Sequence, residues 1–370
     1  MTDPYRALYL HIPFCAKRCS YCDFVTEAVI PNDPRLDQCV EQLTGEIRAA
    51  SRDGLLGSIE TIFIGGGTPS FLGSKRLVSL AYTLSVSINL HDDTEFTVEA
   101  NPESLTAALV RDLYALGVNR FSLGIQSFDS AELVTLGRIH TASRAREAIM
   151  LAHERCENVS IDLMCGIPGQ TPASWLSSVQ QALELGVEHV SVYPLTIEDG
   201  TAFARAVEMG AQEPPDEDAQ ADMMEAAAAL LEAAGFERYE VASYAQRGFA
   251  CRHNSAYWTG VPYLGLGRGA AGMRNCADGS RQRLQDGVVI EQLTPAQAAV
   301  EDIMLGMRLS CGVAQKRVEQ AATLAPRLPS VIAAAEEAGL ILRTQDRYRP
   351  TARGWLLGNE LYRRIWDCVG

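Results

Sequence analysis

Over the first half of the chain, short β-type runs alternate with longer amphipathic stretches. The runs lie at residues 7–11, 60–64, 95–99, 120–125, 159–165 and 189–193, with segments of helical period such as 36–50, 105–116 and 174–185 between them. Six β/α units in this order predict an α/β fold with a parallel, barrel-like sheet. After Tyr193 the alternation stops. Glu213-Pro214-Pro215-Asp216 reads as a linker, and residues 218–234 as a helix ended by Gly235. A glycine-rich stretch, 260–272, follows the segment 251–258. Thr294-Pro295-Ala296-Gln297 then has the form of a helix cap with proline in the first turn, opening a helix to about Leu309. The tail reads helix (331–339), short strand pair (340–349) and helix (351–364). The expected organisation is a partial (β/α)6 barrel over 1–212, a linker-and-helix region over 213–293, and a smaller α+β, winged-helix-like domain over 294–370.

Composition narrows the class. With 370 residues, 47% hydrophobic and 21% charged, the chain is ordinary globular material for two or three domains. A formal net charge of −14 repels a phosphate backbone and argues against nucleic-acid binding. No stretch of about 18 uncharged apolar residues offers a membrane span, and the first residues lack the apolar core of a signal peptide, so a cytoplasmic protein is expected. Three of the ten cysteines crowd into eight residues, which suits metal ligation in a reducing compartment better than a disulfide framework. The other seven read as buried or idle thiols.

Candidate chemistry follows the strands. Cys15-x-x-x-Cys19-x-x-Cys22 comes after the first, Gly65-Gly66-Gly67-Thr68-Pro69 after the second and Asn101-Pro102 after the third. In β/α barrels the C-terminal ends of the strands form the working face, so these segments should converge on one mouth. Three thiolates on one tight loop can reach three corners of a [4Fe–4S] cubane. Structural zinc is normally closed by four ligands, and there is no second Cys-x-x-Cys or His-x-x-x-His to complete such a site. The fourth iron would stay open to chelate the amino and carboxylate groups of S-adenosylmethionine, whose sulfonium the reduced cluster can cleave to a 5′-deoxyadenosyl radical.

The run Tyr9-Leu10-His11-Ile12-Pro13-Phe14-Cys15 through Cys19-Ser20-Tyr21-Cys22-Asp23-Phe24 closely resembles the radical SAM subfamily that joins the oxygen-independent coproporphyrinogen oxidases (HemN) and the haem chaperones (HemW). The resemblance extends over nearly the whole chain. It implies that Gly66, Gly67 and Thr68 bind the methionine moiety, the glycines letting backbone N–H groups come close to a charged ligand. It implies further that Glu99, Gln126, Arg138 and Asp162 contact the cofactor, the carboxylates accepting from its amino group or ribose and Arg138 pairing with its carboxylate. Tyr9 and Tyr21 would flank the cluster.

Within that subfamily the oxidases carry a fourth cysteine two positions after the third. Here Phe24 stands in that position, the pattern of the HemW branch. The branch's His-Asn-x-x-Tyr-Trp motif is present as His253-Asn254-Ser255-Ala256-Tyr257-Trp258. It implies His253 as an axial haem ligand, with Tyr257 and Trp258 as flat apolar surface for the porphyrin and Cys251 as a weaker rival ligand. The implied function is haem binding and transfer to acceptor proteins, those of the respiratory chain among them, with a cluster-dependent homodimer as a further expectation. The competing reading is oxidation of porphyrin propionates; a third is a zinc-stabilised protein without redox chemistry. Arg343, Arg347, Arg349 and Arg353 form a basic run that reads as a solvated face.

Overall fold

A computed structural model describes residues 3–369. Its centre is a parallel ribbon of six strands: β1 (Ala7–Ile12), β2 (Thr61–Gly66), β3 (Glu95–Ala100), β4 (Arg120–Gln126), β5 (Val159–Cys165) and β6 (His189–Pro194). They pair in sequence order, each with the next. The crossovers are helical: α1 (Pro34–Arg52), α2 (Ser74–Ser87), α3 (Ala107–Tyr114), α4 (Ala142–His153) and α5 (Pro172–Glu184). The strands read as nearly continuous apolar runs because parallel sheets are covered on both faces. α1 shows how a crossover is specified. Asp33 caps it by accepting from the Arg35 N–H, Pro34 opens its first turn, and Leu36, Val40, Leu43, Ile47 and Ala50 fall on one buried stripe. Each fully buried aliphatic side chain of that stripe contributes about 1.5–3 kcal/mol of transfer free energy.

The barrel does not close. After α6 (Glu217–Ala233), the short β7 (Glu237–Arg238) and β8 (Ser243–Ala245) add antiparallel strands beside β6. A helix of about two turns, α7 (Arg252–Trp258), precedes β9 (Tyr263–Leu266), which pairs parallel with β1 on its free edge. The antiparallel β10 (Ala271–Asn275), β11 (Arg281–Gln285) and β12 (Val288–Leu293) extend the sheet from there. The result is one open twelve-stranded sheet whose middle six strands form the partial barrel. The glycine-rich stretch, which the sequence left without strands, therefore builds one wall of the sheet.

The C-terminal unit has its own core around Val300, Ile303, Leu328, Ile332, Leu361 and Ile365. It comprises α8 (Pro295–Gly306), α9 (Gln315–Ala322), α10 (Leu328–Glu337) and α11 (Gly358–Trp366) with a small antiparallel sheet of β13 (Val313–Ala314), β14 (Ile341–Arg343) and β15 (Arg347–Pro350). α8 opens on a Thr294–Gln297 capping box. No described helix is long and apolar enough to cross a membrane.

Candidate functional site

The C-terminal ends of β1 to β5 surround one cavity. Its lining includes Cys15, Cys19, Cys22, Tyr21, Gly66, Gly67, Thr68, Glu99, Gln126, Arg138 and Asp162. Every residue expected at the cluster or S-adenosylmethionine is thus brought together, with one exception. Tyr9 stands behind the wall, its hydroxyl 2.8 Å from His11 Nδ1 and its ring packed near Phe63.

The cysteine loop is held from three sides. Phe14–Cys15 pairs with Glu27–Ala28, the Ser20 N–H donates to Leu136 O at 3.0 Å, and the Phe203 N–H donates to Ser20 O at 2.9 Å. The three thiols are free and partly exposed to the cavity. A relay of side chains joins two of them. Thr68 Oγ1 donates to Cys15 Sγ at 3.4 Å and accepts from Asn101 Nδ2 at 2.9 Å. Asn101 Oδ1 accepts from Arg138 Nη2 at 2.8 Å, and Arg138 Nη1 reaches Cys19 Sγ at 3.6 Å. Arg138 also donates to Gly124 O at 2.6 Å, so its guanidinium is pinned before any ligand arrives. Burial pushes the Cys15 thiol up to about 11, as expected of a sulfur crowded by two others without a metal's charge. Asn101 was expected at this mouth from its place directly after a barrel strand; its part in the relay between the cysteines had no sequence signal.

The glycine turn lines the cavity with its amides already satisfied. Gly66 donates its N–H to Glu99 Oε2 at 3.0 Å, while the Gly67 and Thr68 N–H groups donate to Ile12 O and Phe14 O, both at 2.8 Å. All three amides are committed inside the protein. What the run permits is close approach: a Cβ on Gly67 would lie 2.7 Å from Phe14 O, and one on Gly66, where φ is +111°, would meet the His11 ring at 2.6 Å.

Two carboxyls face the cavity from β3 and β5. Burial and the nearby Asp162 charge push Glu99 up to about 8, and burial raises Asp162 to about 6 against the hydrogen bond from Ser191. Gln126 sits at φ +60° on a register shift between β4 and β5, and its buried Oε1 has no partner. Carboxyls short of a cation, an unpaired amide oxygen and three thiols in one cavity fit a cationic, hydrogen-bonding ligand beside an iron–sulfur cluster.

The haem-motif residues lie elsewhere. His253 hangs from α7 at the N-terminal ends of the strands, the floor opposite the mouth. It is 0% exposed, its Nδ1 is 2.9 Å from Thr61 Oγ1, and its Nε2 is 2.9 Å from the Tyr257 hydroxyl. Its ring stacks on Phe63 at 5.1 Å. Burial and the Arg120 charge bring the imidazole down to about 3, so it is neutral. The Glu95 carboxylate accepts the N–H groups of Arg252 and His253 at 2.8 and 2.9 Å, fastening the helix to the first residue of β3. Tyr257 meets both His253 and Tyr263 edge-on, and Trp258 packs against Arg308. Cys251 is fully buried beneath Glu95, its thiol raised to about 12 by burial. In this arrangement neither ring nitrogen of His253 is free for iron.

Residues 9–182 match the model of the Radical SAM superfamily, and residues 293–357 match that of the HemN C-terminal domain. The chain is 34% identical to heme chaperone HemW of Bacillus subtilis over 374 residues, spanning 96% of this chain and 98% of that protein. It is 39% identical to heme chaperone HemW of Escherichia coli over 282 residues, 75% of this chain and 72% of that one. Among solved structures it is similar to coproporphyrinogen III oxidase (HemN) from Escherichia coli, with a TM-score of 0.81 at 20% identity, covering 98% and 90% of the two chains. At that identity the likeness speaks for the fold.

Proposed function

Because the chain belongs to the HemW family of radical SAM proteins, we propose that it binds haem and delivers it to acceptor proteins, with a [4Fe–4S] cluster on Cys15, Cys19 and Cys22 and S-adenosylmethionine in the cavity beside it. One observation carries the choice of carrier over oxidase. Phe24, 63% exposed at the rim of the cavity, stands where the coproporphyrinogen oxidases place a fourth cysteine.

When bound, the cluster and S-adenosylmethionine supply one-electron chemistry at the sulfonium. The protein's part is positional and electrostatic. Arg138 and Asn101 hold the approach to Cys19 and Cys15 in a fixed geometry. Glu99 and Asp162 receive the positive end of the ligand, and its charge draws the proton off Glu99. The pinned Arg138 retains positive charge beside the cavity for the ligand's carboxylate.

The test uses anaerobically reconstituted full-length protein. Haemin titration should give a saturable Soret band. Conversion of coproporphyrinogen III to protoporphyrinogen IX by the same preparation would overturn the carrier reading, and zinc in place of iron and sulfide would overturn the cluster.

A further inference from the structure

Two loops meet twice beside the cavity. One follows β3 and carries Asn101 and Glu103; the other leads into α4 and carries Arg138 and His140. Toward the cavity they are joined at 2.8 Å, Arg138 Nη2 to Asn101 Oδ1. Behind it, Glu103 Oε2 and His140 Nδ1 face each other at 3.6 Å, too far for a hydrogen bond, and both atoms are buried without a partner. The other nitrogen of the ring, Nε2, lies 3.2 Å from Ile125 O.

A backbone carbonyl only accepts, so the Nε2 contact requires a hydrogen on that nitrogen. Glu103 is ionised: burial works to raise its carboxyl, but His140 and the Arg138 charge outweigh burial and hold it below the usual value. A carboxylate also only accepts. The neutral ring has one N–H for these two acceptors, which leaves the Nδ1 lone pair against those of Oε2. One proton is missing, and only the imidazolium satisfies both contacts. The charged side chains of the neighbouring elements are committed elsewhere. Arg138 donates to Gly124 O and Asn101, Arg144 on α4 donates to Pro102 O and Leu105 O and pairs with Glu147, and Glu132 on the short helix Ser130–Thr135 accepts from Ser127, Gln170 and Ser174.

Resting on the S-adenosylmethionine reading, we propose that His140 is a positioning residue for Arg138 and takes up one proton at Nδ1 when a ligand carboxylate binds to Arg138. In the ligand-free protein the Glu103 charge acts on Arg138. A ligand carboxylate brings a second negative charge to one guanidinium in a buried site, and imidazolium formation restores the balance. The proton comes from water by way of Glu103, whose side chain is 21% exposed. One N–H bond forms, and no electron is transferred. The closed contact ties the two loops together at the back, holds Glu103 to His140 and leaves the guanidinium to the ligand. Glu99 acts in the opposite sense on the same ligand, giving up a proton to its positive charge.

Protons exchanged on binding are counted by calorimetry at about pH 6.5, near the usual imidazole value, in buffers of different ionisation heat. The cluster-loaded full chain is titrated with S-adenosylmethionine and with S-adenosylhomocysteine, which keeps the carboxylate and lacks the sulfonium charge. The proteins are the parent, His140→Gln and Glu103→Gln; the last offers an amide N–H to Nδ1 and needs no extra proton. Each variant is expected to take up about half a proton to one proton fewer per ligand than the parent, with both ligands. Between about pH 6 and 8 the affinity of each variant for S-adenosylmethionine should rise more steeply than the parent's, by up to about tenfold per pH unit, because the uptake that opposes the Glu99 proton release is gone. Should His140→Gln fail to fold, Glu103→Gln, at a partly exposed side chain, carries the same expectation. An unchanged proton count in a folded variant, with or without a uniform loss of affinity, overturns the role of His140 and leaves the S-adenosylmethionine reading standing. A parent that binds neither ligand with its iron and sulfide intact overturns that reading, and the role of His140 with it.

Discussion

Asn101 ties two of the three loop cysteines together through side chains alone, passing from Cys15 by Thr68 to Arg138 and Cys19. Asn101→Ala leaves the Arg138 guanidinium one acceptor short and Thr68 without its donor. S-adenosylmethionine affinity, followed by equilibrium dialysis on protein of unchanged iron content, should fall by about tenfold, the cost of a buried donor left unmade. Glu99 makes a second prediction through pH. Its carboxyl is raised from about 4.5 in the unfolded chain to about 8 in the fold, so between those values the native state binds more protons than the unfolded one. Stability of the ligand-free protein therefore falls as pH rises from about 4.5 to 8 and levels off above. Glu99→Gln should flatten that slope in urea titrations across the window. The same proton must leave when a cationic ligand binds, so affinity for S-adenosylmethionine should rise with pH up to about 8, with proton release measurable by calorimetry in buffers of different ionisation heat. The cysteine loop was legible in sequence because its partners lie within eight residues. Asn101 could be placed at the mouth from its position after a strand, but its relay could not, because Thr68 and Arg138 are 33 and 37 residues away and no local pattern connects them.

At the level of elements, the Gly65–Gly67 turn is a packing device against the cysteine loop. Gly67→Ala places a methyl against two backbone carbonyls that have no freedom to move, Phe14 O at 2.7 Å and Ile12 O at 2.9 Å. Reconstituted protein should retain less than about half of the parent's iron and sulfide while keeping its far-ultraviolet circular dichroism, since the strain falls on the loop rather than on the sheet. The control is Gly45→Ala inside α1, where a Cβ meets nothing within 4 Å. That change should raise stability by about 1 kcal/mol, the helix preference for alanine over glycine, with iron content unaltered. The six barrel strands and their crossovers could be read from apolar runs and caps because both signals are local. β9 could not. Tyr263-Leu264-Gly265-Leu266 is hidden among glycines that favour turns, and it becomes a strand by pairing with Ala7–Leu10, more than 250 residues earlier.

At the scale of the whole molecule, the barrel sheet and the C-terminal unit meet through charge as well as through the Arg308 stack. Arg281 on β11 is 3% exposed and pairs at 2.7 Å with Glu301, 2% exposed, and with Asp302, both on α8. Arg281→Ala leaves Glu301 to Arg283 alone and Asp302 to Arg317 alone, and should lower unfolding free energy by about 1.5–3 kcal/mol in denaturant titrations. Arg281→Met paired with Glu301→Leu should recover most of it, because the pair's removal costs far less than its breakage. The position of the haem motif belongs to this scale too. As a hexapeptide it reads as a surface for a flat ligand, and only its partners Thr61 and Glu95, 192 and 158 residues upstream, make it the floor of the barrel. The pairing of β1 with β9 also sets a schedule for synthesis. The first strand lends one edge to β2 soon after it leaves the ribosome, but its other edge waits for residue 263. At the usual 5–20 residues per second that interval is about 10–50 s. Throughout it, the cysteine loop three residues beyond β1 hangs from a half-bound strand. Cluster insertion therefore has a natural earliest moment, set by when the second wall arrives, although the three ligands are made almost first.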